Sequence, residues 1–144
     1  MTLCYRHRRV MGTNPPGGNP FAEKYWGTDF NPKTKSIRNV VSGPGIIGFT
    51  EAAEDPNDST KYIIVKHLSL DPEVDAKVKE EARRRWNTYP HPQFSLYIHD
   101  CRDYASGIYN YALAARARWN MDHKVKQSVA RMIWSISFPS VLPW

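Results

Sequence analysis

Cys101 stands where a short apolar run (Phe94, Leu96, Ile98) gives way to an alanine-rich helical run beginning at Arg102. A thiol in the first turn of a helix faces unpaired backbone N–H groups and the positive end of the helix dipole. Both favour the thiolate, the form that attacks a carbonyl carbon. Asp100 is a good N-cap immediately before it, and Asp103 supplies the acidic residue expected in a first turn. The same pattern suits a small buried cysteine, which behaves as a hydrophobe. What separates the two readings is a base within reach of the sulfur.

Five histidines could supply it: His7, His67, His91, His99 and His123. His67 follows Ile63 and Val65 on one face of an apolar run and could meet Cys101 across a sheet. His99, two residues ahead of Cys101, reads as a neighbour along the same strand. His91 and His123 read as loop or helix-surface residues, and His7 on its own as a surface residue of a basic N-terminal strand. No histidine pair has the His-x-x-x-His spacing of a metal site, and two cysteines, Cys4 and Cys101, are too few for a cysteine zinc site or a disulfide scaffold. Sequence distance does not forbid one bridge between them, and free thiols are the favoured reading. Gly43-Pro44-Gly45 lacks the lysine and following helix of a phosphate loop, so no cofactor is implied. Trp26, in a loop-rich region, is the aromatic that could border a cleft; the other four tryptophans read as core.

The elements that must position these residues alternate in type. Leu3 to Met11 reads as a first strand and Gly12 to Pro20, with three glycines and three prolines, as a loop. Strands follow over Tyr25–Phe30 and Ser36–Val41, then a turn at Gly43-Pro44-Gly45, with Ile46–Thr50 pairing with or continuing the preceding strand. Ala52 to Thr60 is an acidic loop, and Lys61 to Leu70 gives the clearest strand, built on Tyr62 to Val65. Asp71-Pro72 caps and opens a helix to about Trp86, whose inward stripe is Val74, Val78, Ala82 and Trp86. Glu73–Lys77, Asp75–Lys79, Glu80–Arg84 and Glu81–Arg85 form four pairs in the favourable orientation on it. After a proline-rich link comes the strand Phe94–Ile98. The Cys101 helix runs to about Trp119 with Cys101, Ala105, Ile108, Ala112, Ala115 and Trp119 on one face. A last helix, about Met121 to Trp134, turns Val125, Val129, Met132 and Ile133 inward, and an apolar tail drapes on the core.

The whole reads as one α+β domain over 1–144, a small antiparallel sheet packed against helices. At 144 residues the chain suits a single core, and no apolar run is long enough to span a bilayer. The formal net charge of +6 points to an acidic partner or to general solubility. No block of five basic residues occurs, and Arg83 to Arg85 is explained by the helix pairs above, which argues against nucleic acid. Met1 to Val10 carries Arg6, Arg8 and Arg9 but no apolar stretch of a secretory signal, so the expectation is either export by a specialised secretion system or a sequence that is a mature or excised domain.

The words "HLSLDPEVDAKVKEEARRRW" and "PQFSLYIHDCRDYASGIYNYAL" resemble a pattern of the circularly permuted NlpC/P60 group of papain-like cysteine hydrolases. In that group a strand leads to "L-S-L-x-P-E", a charged helix follows, and "Y-S-L-x-x-N-N-C-x-D-F-A" opens the nucleophile helix. Cys101 falls on the nucleophile position, with Asp103, Tyr104 and Ala105 matching the positions after it. His99-Asp100 departs from the commoner Asn-Asn, and the charge of Asp100 opposes thiolate formation if it lies close. The group's histidine precedes its cysteine on the first strand. "RHRRVMGTNPPGG" lays on that strand and puts His7 at the base position, although Arg6 replaces the usual glycine. "KYWGTDF" resembles the aromatic-glycine strand that comes next. The resemblance covers about half of the chain.

It implies a papain-like core and a thiol hydrolase in which His7 takes the proton of Cys101, with a third, orienting residue that the sequence does not name. Peptidoglycan peptides are the substrate such enzymes commonly meet, and a basic protein suits an anionic wall. By analogy the chain would be a toxin-like effector, matched by an immunity or inhibitor protein. Permuted relatives also include lipid acyltransferases and phospholipases, and a noncatalytic module binding a polyanion is a third expectation. A hydrophobic cleft beside Cys101 would favour the lipid reading over a polar groove.

Overall fold

The computed structural model describes residues 2–4, 9–15 and 24–137. His7, Pro20 and the tail from residue 138 lie outside them. The elements are β1 (Thr2–Cys4), β2 (Arg9–Thr13), β3 (Tyr25–Pro32), α1 (Ile37–Val41), β4 (Ser42–Ala53), β5 (Ile64–His67), α2 (Pro72–Asn87), β6 (Gln93–Ser95) and α3 (Cys101–Ser137). All strand pairs are antiparallel, in the order β5-β1-β2-β3-β4-β6. The architecture is α+β, a small antiparallel sheet packed against helices.

Strand parity sorts the side chains. Val10, Trp26, Phe30 and Ile47 lie on the face covered by α2 and α3, where they meet Val78, Ala82, Ala105, Ile108 and Ala112 in one core. Met11 and Ala53 point the other way and form a smaller cluster with Tyr25 and Tyr62. Each large side chain withdrawn from water in this way contributes about 1.5–3 kcal/mol. Gly12 is demanded by packing: a Cβ there would sit 2.2 Å from the Trp26 indole. Gly45 has the same constraint, since its Cβ would fall 2.4 Å from the Phe30 ring and from the Pro92 carbonyl oxygen.

Several elements differ from the sequence expectation. Leu3 to Met11 is two strands rather than one, with Cys4 paired to Arg9 across a β1–β2 ladder. Ser36–Val41 is a single helical turn, because the Ser36 hydroxyl accepts from Asn39 N–H and caps it, and Ile37 is left 85% exposed. Gly43-Pro44-Gly45 is no turn but part of the twelve-residue β4, paired to β6 on one side and, through Gly45, to β3 on the other. The strand expected over Lys61–Leu70 shortens to an exposed edge, β5. Phe94–Ile98 shortens to β6, and Leu96 to Ile98 form a turn.

α2 follows its caps: the Asp71 carboxylate accepts from Glu73 N–H and Pro72 opens the helix. Its expected ion pairs are redistributed by tertiary contacts. Glu81–Arg85 forms at 3.0 Å, but Glu80 takes Arg83, and Lys79 reaches Glu51 on β4 at 3.2 Å. Asp75 turns inward instead of meeting Lys79, accepting from the Trp26 indole N–H at 2.8 Å and from Thr13 N–H at 3.3 Å. Trp26 is therefore a fully buried strand residue, not the rim of a cleft. Trp86, expected inward, is 37% exposed and stacks on Phe49.

The two expected C-terminal helices are one. α3 runs 37 residues, about 55 Å, without a glycine or proline beyond Gly107 to interrupt it. Ala105, Ile108, Ala112 and Ala115 cover the sheet and α2 as expected. Val125, Val129 and Met132, expected inward, are exposed, since the helix has passed the end of the core.

Candidate functional site

The start of α3 is built by the turn before it. Ser95 and His99 exchange two backbone hydrogen bonds at 2.8 Å, and Tyr97 closes the turn at φ 67°, in the left-handed region that a tyrosine adopts at a cost of about 1 kcal/mol or more. Asp100 then caps the helix in both directions. Its carboxylate accepts from Arg102 N–H at 2.9 Å and from Tyr97 N–H at 3.3 Å, while its own N–H donates to Asp103 Oδ2 at 2.9 Å. This is the reciprocal logic of a capping box, with aspartate in the third helical position. The Arg102 guanidinium grips the same carboxylate at 2.6 Å.

Asp100 is buried, yet that guanidinium, helped by the two N–H donors, holds its carboxyl down at about 2 against the opposing push of burial. The negative charge ahead of Cys101 is thus matched by a positive one. Cys101 is the first residue of α3, a half-buried free thiol on the same helix face as Ala105 and Ile108. Among the described residues its backbone N–H has no hydrogen-bond acceptor, in contrast to that of Arg102.

One turn on, Tyr104 anchors the helix to the sheet. Thr28 Oγ1 donates to the Gly48 carbonyl at 2.8 Å, so in its 2.7 Å contact with Tyr104 the phenol must be the donor. Burial raises the phenol pKa and keeps it neutral. The Phe30 ring lies 5.8 Å from Tyr104 and 5.6 Å from His99. Phe30 neighbours Asp29, which is in register with Arg9. The first turn of α3 therefore lies at the end of the sheet where β2 begins.

The histidines separate cleanly. His7 lies outside the described residues. His67 is paired with Thr2, level with Met11 and Gly27 and farther along the strands from Phe30. It lines a cleft of about 290 Å³ with Thr13, Asn14 and Asp75, away from Cys101. The structure does not bring His67 and Cys101 together. His91 has both ring nitrogens committed: Nδ1 accepts from Ile47 N–H at 3.1 Å and Nε2 donates to the Trp86 carbonyl at 2.8 Å. His123 stacks on Trp119, well down α3. His99 borders a second cleft, of about 420 Å³, with Arg84, Arg85, Asp103 and Tyr104. Among the described residues no imidazole is hydrogen-bonded to the Cys101 sulfur.

Sequence reasoning missed the Arg102 clamp, the Thr28–Tyr104 bond and the Asp75 anchor. Only Asp75 carried a signal, since it lies three residues before Val78 and next to Val74 on the inward stripe.

No family model matches the chain, and neither does any curated protein or solved structure. What fold and site define is a class: an α+β protein with a capped helix start that presents a free thiol at one end of an antiparallel sheet.

Proposed function

We propose that the protein is a thiol hydrolase of the permuted NlpC/P60 type, with Cys101 as nucleophile and His7 as base, cleaving amide bonds in peptidoglycan peptides. The observation that carries this reading is the placement of Cys101: first residue of a sheet-packed helix, half-buried, free, and with its own N–H unspent. The shared end of α3 and β2 supports His7, which lies two positions ahead of Arg9 in the sequence. In the proposed reaction His7 takes the thiol proton and the thiolate adds to the carbonyl carbon. The Cys101 N–H stabilises the oxyanion. The imidazolium then gives its proton to the departing amine, and water, deprotonated by the same ring, releases the acyl group.

One observation favours a second reading, acyl transfer from a lipid. The turn ahead of Cys101 exposes Tyr97 and Ile98 at 79% and 80%, and Leu96 N–H bonds the carbonyl of the exposed Val41. Such an apolar rim suits an acyl chain.

Purified peptidoglycan incubated with wild type and with Cys101→Ala tests the first reading, and phospholipid in mixed micelles tests the second. New amino groups released by wild type alone are the expected result. Fatty acid or lysophospholipid released by wild type alone would move the substrate to lipid. No cysteine-dependent product from either substrate would contradict both.

A further inference from the structure

Beyond the core, α3 continues as an amphipathic helix with an uncovered face. Met121, Val125, Val129 and Met132 are 66%, 60%, 49% and 62% exposed. At about 100° per residue, their steps of four, four and three place them within roughly 80° of one another around the helix. Lys126 and Lys124 flank that stripe, each about 100° from its centre on opposite sides, with Asp122 nearer to it on the Lys126 side. Between residues 116 and 132 there are five lysines and arginines and one carboxylate, Asp122.

We propose that this half of α3 docks the protein on an anionic lipid surface, with the apolar stripe in the acyl boundary and the flanking lysines on phosphate and carboxylate headgroups. Lysine stems reach sideways from such a helix, so their ammonium groups stay at headgroup level while the stripe is buried. Charge complementarity selects this occupant. A second copy laid stripe to stripe would bring four lysines to one seam against two carboxylates, and four side chains a copy fall short of the area a stable dimer buries. The helix lies on the surface and does not span it, for no helix among the described residues is long and apolar enough to cross a membrane. This surface is independent of the thiol, since even Met121, the nearest of these residues, lies about 30 Å along the helix from Cys101.

The test is co-sedimentation of the full chain with phosphatidylcholine vesicles, with and without phosphatidylserine, for wild type, Val125→Asp/Met132→Asp and Lys124→Glu/Lys126→Glu. Both double variants alter exposed residues, and unchanged thermal unfolding checks that they fold. The expected result is binding that requires phosphatidylserine, weakens with salt and falls tenfold or more in each variant, with the lipid-free protein monomeric by light scattering. Binding no better to phosphatidylserine vesicles than to neutral ones would overturn the proposal. So would variants that bind like wild type, or a lipid-free dimer that the variants dissolve.

Discussion

Asp100 shows how a buried carboxylate at a helix start is kept charged. Its pKa falls from an ordinary 3.8 to about 2 because Arg102 bonds it, so the folded state prefers the charged form. A lowered folded pKa stabilises the fold above the unfolded value and loses that effect as pH drops through the folded one. Asp100→Asn, which keeps a capping oxygen, should therefore cost about 1–2 kcal/mol near neutrality, the full shift being discounted for the half-exposed Arg102. The difference should shrink between pH 4 and 2, as urea unfolding of both proteins across that range would show. A mutant equally destabilised at pH 2 and pH 6 would mean the charge is not what matters. At this scale the sequence spoke through local rules: Asp100 as cap and Asp103 in the first turn follow from spacing alone. Arg102 was legible as a charge but not as a clamp, because which side chain turns back on its neighbour depends on the turn at Tyr97.

Elements were legible where local chemistry and packing agree. Asp71-Pro72 opens α2, and the stripe Val74, Val78 and Ala82 is buried as its four-residue spacing requires. Where they disagree, tertiary context won. Ile64 and Val65 of the β-branched run lie on an exposed edge strand with Ile63 ahead of it, and Ser36–Val41 takes a helical turn capped by Ser36. The apolar spacing beyond Trp119 predicts a second inward-facing helix, but periodicity reports a stripe, not what covers it. α3 therefore has two energetically different halves. Ile108→Ala should destabilise by about 2–5 kcal/mol, whereas Val125→Ala and Met132→Ala should each stay within about 0.5 kcal/mol in the absence of lipid. Equilibrium denaturation of the three variants measures both. A large loss at Val125 would mean that the stripe is covered in the free protein.

At the scale of the molecule, one face of a small antiparallel sheet carries two helices, and the second of them links two ends with different prospects. One end holds Cys101 where β2 begins; the other carries cations around an apolar stripe. The net charge of +6 was visible from composition, but not that part of it surrounds an exposed helix face. Likewise the chain order of His7 and Cys101 says nothing of the distance between them, and His7 lies outside the described residues. The activation of Cys101 is most directly tested by its rate of alkylation with iodoacetamide as a function of pH, followed by peptide mapping in wild type and His7→Ala. Cys101 should react near pH 6 roughly tenfold or more faster than a small free thiol, and His7→Ala should remove the advantage. A Cys101 rate equal to that of the free thiol at every pH, unchanged by the loss of His7, would contradict it.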